Sequence, residues 1–107
     1  MEQQELQFIP VAPVSDLVEG KGKAYEVKGR LIAFFLRNGQ VHAIDDACPH
    51  MGASLADGNL CGDLVSCQWH GWRFNITNGV WADAPKIKIG SYPVKVENGV
   101  VFLSINW

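Results

Sequence analysis

The sequence predicts an all-β protein, in which a small antiparallel base, a barrel or sandwich, carries an inserted pair of loops. Three observations point to it. Short runs of alternating, β-branched or aromatic residues fill both ends of the 107-residue chain. Asn-Gly pairs, the strongest short hairpin signal, punctuate them. The middle is rich in glycine and holds all three cysteines and two of the three histidines.

The elements follow in chain order. Leu6 to Val11 (LQFIPV) reads as a first strand, and Pro13 to Gly20 (PVSDLVEG) as one helical turn that Ser15 or Asp16 would cap. Lys23 to Gly29 (KAYEVKG), Arg30 to Arg37 (RLIAFFLR) and Gln40 to Asp45 (QVHAID) are strands by their alternation and β-branched content. Asn38-Gly39 joins the last two as a hairpin. A second Asn-Gly, Asn78-Gly79, falls between WRFNI and VWAD, and a third, Asn98-Gly99, separates Val94 and Val96 from Val101 and Leu103. No run has helical period beyond a turn or two. The organisation is a single domain over residues 1–107, with residues 1–45 and 86–107 as the base and residues 46–85 or so as an excursion carried on it. Closing the base hides its strand edges.

Composition excludes several classes. Hydrophobic residues make up 48% and charged ones 19%, ordinary for a folded soluble protein. A formal net charge of −2, with no basic run, argues against a nucleic-acid partner. Lys21, Lys23, Lys28 and Arg30 gather in one segment, and on an acidic protein they read as a solvated edge. The start, MEQQELQFIPVAP, has no positive region followed by an apolar one, and no apolar run reaches the roughly 18 residues of a membrane span. The expectation is a cytoplasmic protein with no membrane partner. In a reducing compartment, an odd number of cysteines speaks for metal binding over a disulfide framework.

The middle contains Cys48-Pro49-His50 and, sixteen residues further on, Cys67-Gln68-Trp69-His70. A lone cysteine or histidine is usually structural. Here C-x-H and C-x-x-H lie on two stretches, each followed by glycine within two positions, and four such residues together form a candidate donor set. Thiolate and neutral imidazole serve zinc, copper or iron-sulfur chemistry. The one-residue spacing of Cys48 and His50 is awkward for a single tetrahedral zinc, whose knuckles use spacings of two to four. It suits two adjacent metal atoms, one reached by each side chain.

CPHMGASL followed by CQWHGWRFNITNG resembles the Rieske iron-sulfur family, and VENGVVFL and the Asp83–Pro85 segment extend the resemblance over nearly the whole chain. It implies one 2Fe-2S cluster with two cysteines on the inner iron and two histidines on the outer. By position, Cys48 and Cys67 match the inner ligands, His50 and His70 the outer ones, and Asp83–Pro85 would fold over the cluster. Gln68 stands where many members have proline and Asn75 where many have aspartate; neither is a ligand position.

The family holds several functions, and local residues choose among them. High-potential members join their loops by an extra disulfide, where this chain has Ala53 and Trp69. They also place serine and tyrosine hydroxyls on cluster sulfurs, where this chain has Trp72 and Phe74. Without those donors the reduced state is harder to reach, so the resemblance implies the negative part of a roughly −150 to +300 mV span. Asp45, Asp46, Asp57, Asp63 and Asp83 would oppose reduction further and form an acidic rim for a basic partner. Trp69 and Trp72 are expected to shield the cluster and Trp81 and Trp107 to pack on the base. Cys61 reads as a structural thiol and His42 as a surface histidine on a strand.

With no glycine fingerprint for a dinucleotide and no room for a mononuclear-iron domain, the chain is read as an electron carrier, not an enzyme. It resembles the ferredoxin of a ring-hydroxylating dioxygenase system, which passes electrons from a flavin-dependent reductase to a terminal Rieske oxygenase, with His50 and His70 facing the partners. Two alternatives are the small Rieske-like subunit of an assimilatory NADH-dependent nitrite reductase and a zinc-stabilised binding module.

Overall fold

The computed structural model describes residues 7–47, 54–67 and 72–104. Within them, ten strands form three antiparallel sheets: β1 (Phe8–Pro13), β2 (Gly22–Val27), β3 (Arg30–Arg37), β4 (Gln40–Asp45), β5 (Asn59–Cys61), β6 (Leu64–Ser66), β7 (Arg73–Asn75), β8 (Ser91–Tyr92), β9 (Val94–Glu97) and β10 (Val100–Ser104). One sheet runs β1-β10-β9, a second β2-β3-β4-β8 and a third β5-β6-β7.

Turn chemistry sets the registers. Lys28-Gly29, Asn38-Gly39 and Asn98-Gly99 each have positive φ at both residues, the type I′ geometry whose twist matches antiparallel strands. Glu19 fastens the second of these turns, its carboxylate accepting from the backbone N–H of Asn38 at 2.6 Å and of Gly39 at 3.3 Å. Asn78-Gly79 behaves differently. Only Gly79 has positive φ, the chain closes by Gly79 N–H to Asn75 O at 2.7 Å, and Asn75 and Asn78 bond the backbone N–H two residues on. Ile76 is buried, so the turn begins earlier than the Asn-Gly pair suggests.

The turn after β1 spans Val14–Asp16 as a single 3-10 turn with Pro13 at its cap position and no side-chain cap. Ser15 and Asp16 lie inside it, too late in the chain to cap it; Asp16 accepts instead from the Tyr25 hydroxyl at 3.3 Å. β1 starts later than expected and carries a bulge between Pro10 and Ala12. It is an edge strand, where a residue without an N–H is tolerated.

β3 organises the interior. Ile32, Ala33, Phe34 and Phe35 are all buried, which is why its sequence is a continuous apolar run. Successive residues point to opposite faces. Ile32 and Phe34 join Leu17, Val27, Ala43, Val101 and Leu103 in a core beneath β10. Ala33 and Phe35 join Ile44, Leu55, Val65, Phe74 and Cys67 in a second core on the other face.

Candidate metal centre

The second core carries the one proposed ligand among the described residues. Cys67 follows β6, is 2% exposed and is free of any disulfide. Its N–H donates to Trp72 O at 2.7 Å, so residues 68–71 leave from and return to a hydrogen-bonded pair. Residues 48–53 do the same, since Ala47 and Ser54 form an antiparallel bridge. Leu55 and Ala56, directly after Ser54, pack in the same core as Cys67. The roots of the two stretches are thereby brought together. Cys48, His50 and His70 lie outside the described residues.

The first root is pinned by Asp46, a buried carboxylate. Its Oδ1 accepts from Ser54 Oγ at 2.8 Å and from the Ala56 N–H at 3.0 Å, its carbonyl accepts from Leu55 N–H at 2.7 Å, and its own N–H donates to Leu31 O at 3.1 Å. Asp45 ties the neighbouring strand, accepting from Tyr92 Oη at 2.5 Å and from Gly90 N–H at 2.8 Å. Burial, and then the hydrogen bond and charge of Asp45, raise the Tyr92 phenol above its ordinary value of 10.0, with Arg30 opposing. Asp63 and Asp83 form ion pairs with Arg37 and Arg73, each at 2.9 Å. Asp45 and Asp46 are therefore ties between elements, whereas Asp57, Asp63 and Asp83 are exposed, the last two paired with arginines.

Aromatic residues wall the Cys67 side. Trp72 and Trp81 stack with centroids 3.9 Å apart at 15°, and both pack against the Cys67 core. Trp81 thus belongs beside the candidate centre and not on the base. Its pairing with Phe74 puts it on that face, an arrangement invisible in a linear sequence. The Trp81 Nε1 atom is shut off from solvent and has no hydrogen-bond partner among the described residues. Trp69 and Trp107 lie outside the described residues. Cys61 is exposed; it alternates with the core-packed Leu60 on β5, which turns it away from the Cys67 face. His42 is half-buried on β4, paired in register with Phe35.

Residues 7–93 match the model of the Rieske [2Fe-2S] domain. The chain belongs to the Rieske family. It is 31% identical over 103 residues to the ferredoxin component of the alkene monooxygenase system of Xanthobacter autotrophicus, covering 95% of this chain and 84% of the relative. It is 32% identical over 102 residues to the ferredoxin component of the naphthalene 1,2-dioxygenase system of Pseudomonas putida, covering 94% and 98%. Among solved structures, one of the complex of reduced oxygenase and oxidised ferredoxin in carbazole 1,9a-dioxygenase superposes with a TM-score of 0.80 at 31% identity, covering 91% of this chain and 92% of that one.

The donor chemistry suits the family's cluster. A soft sulfur donor stands in an apolar core, with Trp72 and Trp81 packed against it, at the root of one stretch, and the other stretch returns into the same core. Trp72 packs against the Cys67 core and Phe74 is fully buried within it. No helix among the described residues is long and apolar enough to cross a membrane.

Proposed function

We propose that this Rieske protein is a one-electron carrier, taking electrons from a flavin-dependent reductase and delivering them to a terminal oxygenase of the aromatic-ring-hydroxylating kind in the cytoplasm. The observation that carries the reading is coverage. The chain matches almost the full length of proteins named as ferredoxin components, and a relative of this kind is seen bound to its oxygenase. The naphthalene and carbazole systems favour an aromatic substrate for the oxygenase.

Cys48 and Cys67 would hold the inner iron and His50 and His70 the outer iron of one 2Fe-2S cluster, within a subdomain of about residues 46–85. The bound cluster supplies reversible one-electron chemistry. Asp46 and the Ala47–Ser54 bridge fix where the Cys48 stretch begins and ends, the Cys67–Trp72 hydrogen bond fixes where the His70 stretch begins and ends, and the stacked tryptophans would limit water on the sulfur side.

Anaerobically purified protein is expected to contain two irons and two acid-labile sulfides per chain and a reduced-state EPR signal of mixed cysteine and histidine ligation. It should also restore ring hydroxylation when added to a flavin reductase and a terminal oxygenase that lack a carrier. Protein that is colourless and holds zinc, or that binds the cluster but passes no electrons to any oxygenase of this kind, contradicts the reading.

A further inference from the structure

The indole N–H of Trp81 is buried, and no group among the described residues accepts it. Leaving such a donor unpaired is costly, and a native protein rarely keeps one without a use. Its position narrows what that use is. Val65 and Cys67 share one face of the β6 strand line, and Trp72 and Phe74 share one face of the β7 line. Phe74 pairs with Val65 on one side and with Trp81 on the other. Trp81 therefore stands on the Cys67 face, and its ring lies flat on Trp72, whose carbonyl receives the Cys67 N–H. The opposite face of this strand is occupied by the exposed ion pair of Arg73 with Asp83.

We propose that the Trp81 indole N–H donates a hydrogen bond to a sulfur of the bound cluster, and that it is a potential-setting residue of this chain. The proposal rests on the cluster assignment made above. Trp72 and Phe74 supply no hydroxyl to those sulfurs, so an indole donor one strand further out would take over part of that role. A hydrogen bond to sulfur stabilises the reduced, more negative state over the oxidised one, and so raises the midpoint.

The discriminating experiment replaces Trp81 by benzothienylalanine, which puts sulfur in place of the N–H and keeps the ring shape; Trp81→Phe serves as a second variant. The holoprotein is compared with the parent by redox titration and by pulsed ENDOR of the reduced state in H2O and D2O. The expected result is a midpoint lowered by about 59 mV, a tenfold fall in the ratio of reduced to oxidised protein at fixed poise, with loss of one exchangeable-proton coupling. An unchanged midpoint in the benzothienylalanine variant overturns the proposal. A parent protein without the mixed-ligand reduced signal overturns the cluster assignment instead, so the two failures are distinct.

Discussion

Two adjacent aspartates share the work of tying the end of β4 to Ser54, Ala56, Gly90 and Tyr92. Asp46 collects two donors on one buried oxygen, so Asp46→Ala strands the Ser54 hydroxyl and the Ala56 N–H. The expected cost is about 1–3 kcal/mol, read as a lower urea midpoint, together with less iron per chain because the Cys48 stretch loses its anchor. Asp46→Asn keeps an acceptor oxygen at the same place and should recover most of both. Asp45 acts through Tyr92. Because the folded protein holds the Tyr92 proton more tightly than the unfolded chain, the unfolded state loses that proton first as the solution becomes alkaline. Stability is then intact below the ordinary tyrosine value of 10.0 and falls as pH rises above it. Tyr92→Phe should flatten that alkaline loss when urea midpoints at about pH 8 and about pH 11 are compared. The proposed ligand pattern can be put forward from the sequence because Cys and His spacing is a local property. The roles of Asp46, Tyr92 and Trp81 are not, since each depends on a partner supplied by another element.

At the scale of elements, close backbone approach is as constraining as turn type. Gly58 leads from the 3-10 turn of Leu55–Asp57 into β5, and a Cβ there would stand 2.0 Å from Ser66 O. Gly58→Ala therefore has to push apart the segment that ends in Cys67. Overpacking of this kind costs about 1–3 kcal/mol or more, and the variant should melt lower by circular dichroism and bind less iron. The same elements tell which features a sequence carries. Asn38-Gly39 and Asn98-Gly99 are readable because asparagine tolerates the left-handed region, and β3 and β4 appear with their observed bounds. Lys28-Gly29 adopts the same I′ geometry, yet lysine carries no such signal, and the chain reads as one strand running into the next. Asn78-Gly79 carries the signal but yields to burial of Ile76 and to the Asn75 side chain bonded to the N–H of Thr77.

In the whole molecule, β3 serves two cores at once, and this decides how the β1-β10-β9 sheet and the β5-β6-β7 sheet respond to damage. Phe34 and Ile32 face the core under β10, while Phe35 and Ala33 face the core that holds Leu55, Val65 and Cys67. Removing either ring to alanine should cost about 3–5 kcal/mol. If the two cores were independent, Phe35→Ala would loosen β6 and leave β10 untouched, and Phe34→Ala would do the reverse. A shared strand argues otherwise: when β3 loses its hold on one side, its ladder with β2 and β4 weakens for both. Native-state amide exchange is the measurement. Phe35→Ala should lower protection at Val65 on β6 and at Val101 and Leu103 on β10 by similar amounts, and Phe34→Ala should do the same. Protection lost on one side only in each variant would mean that the β5-β6-β7 sheet opens as a separate unit, and under the proposed cluster assignment the roots of the two candidate ligand stretches would then owe their geometry to the cluster and not to β3.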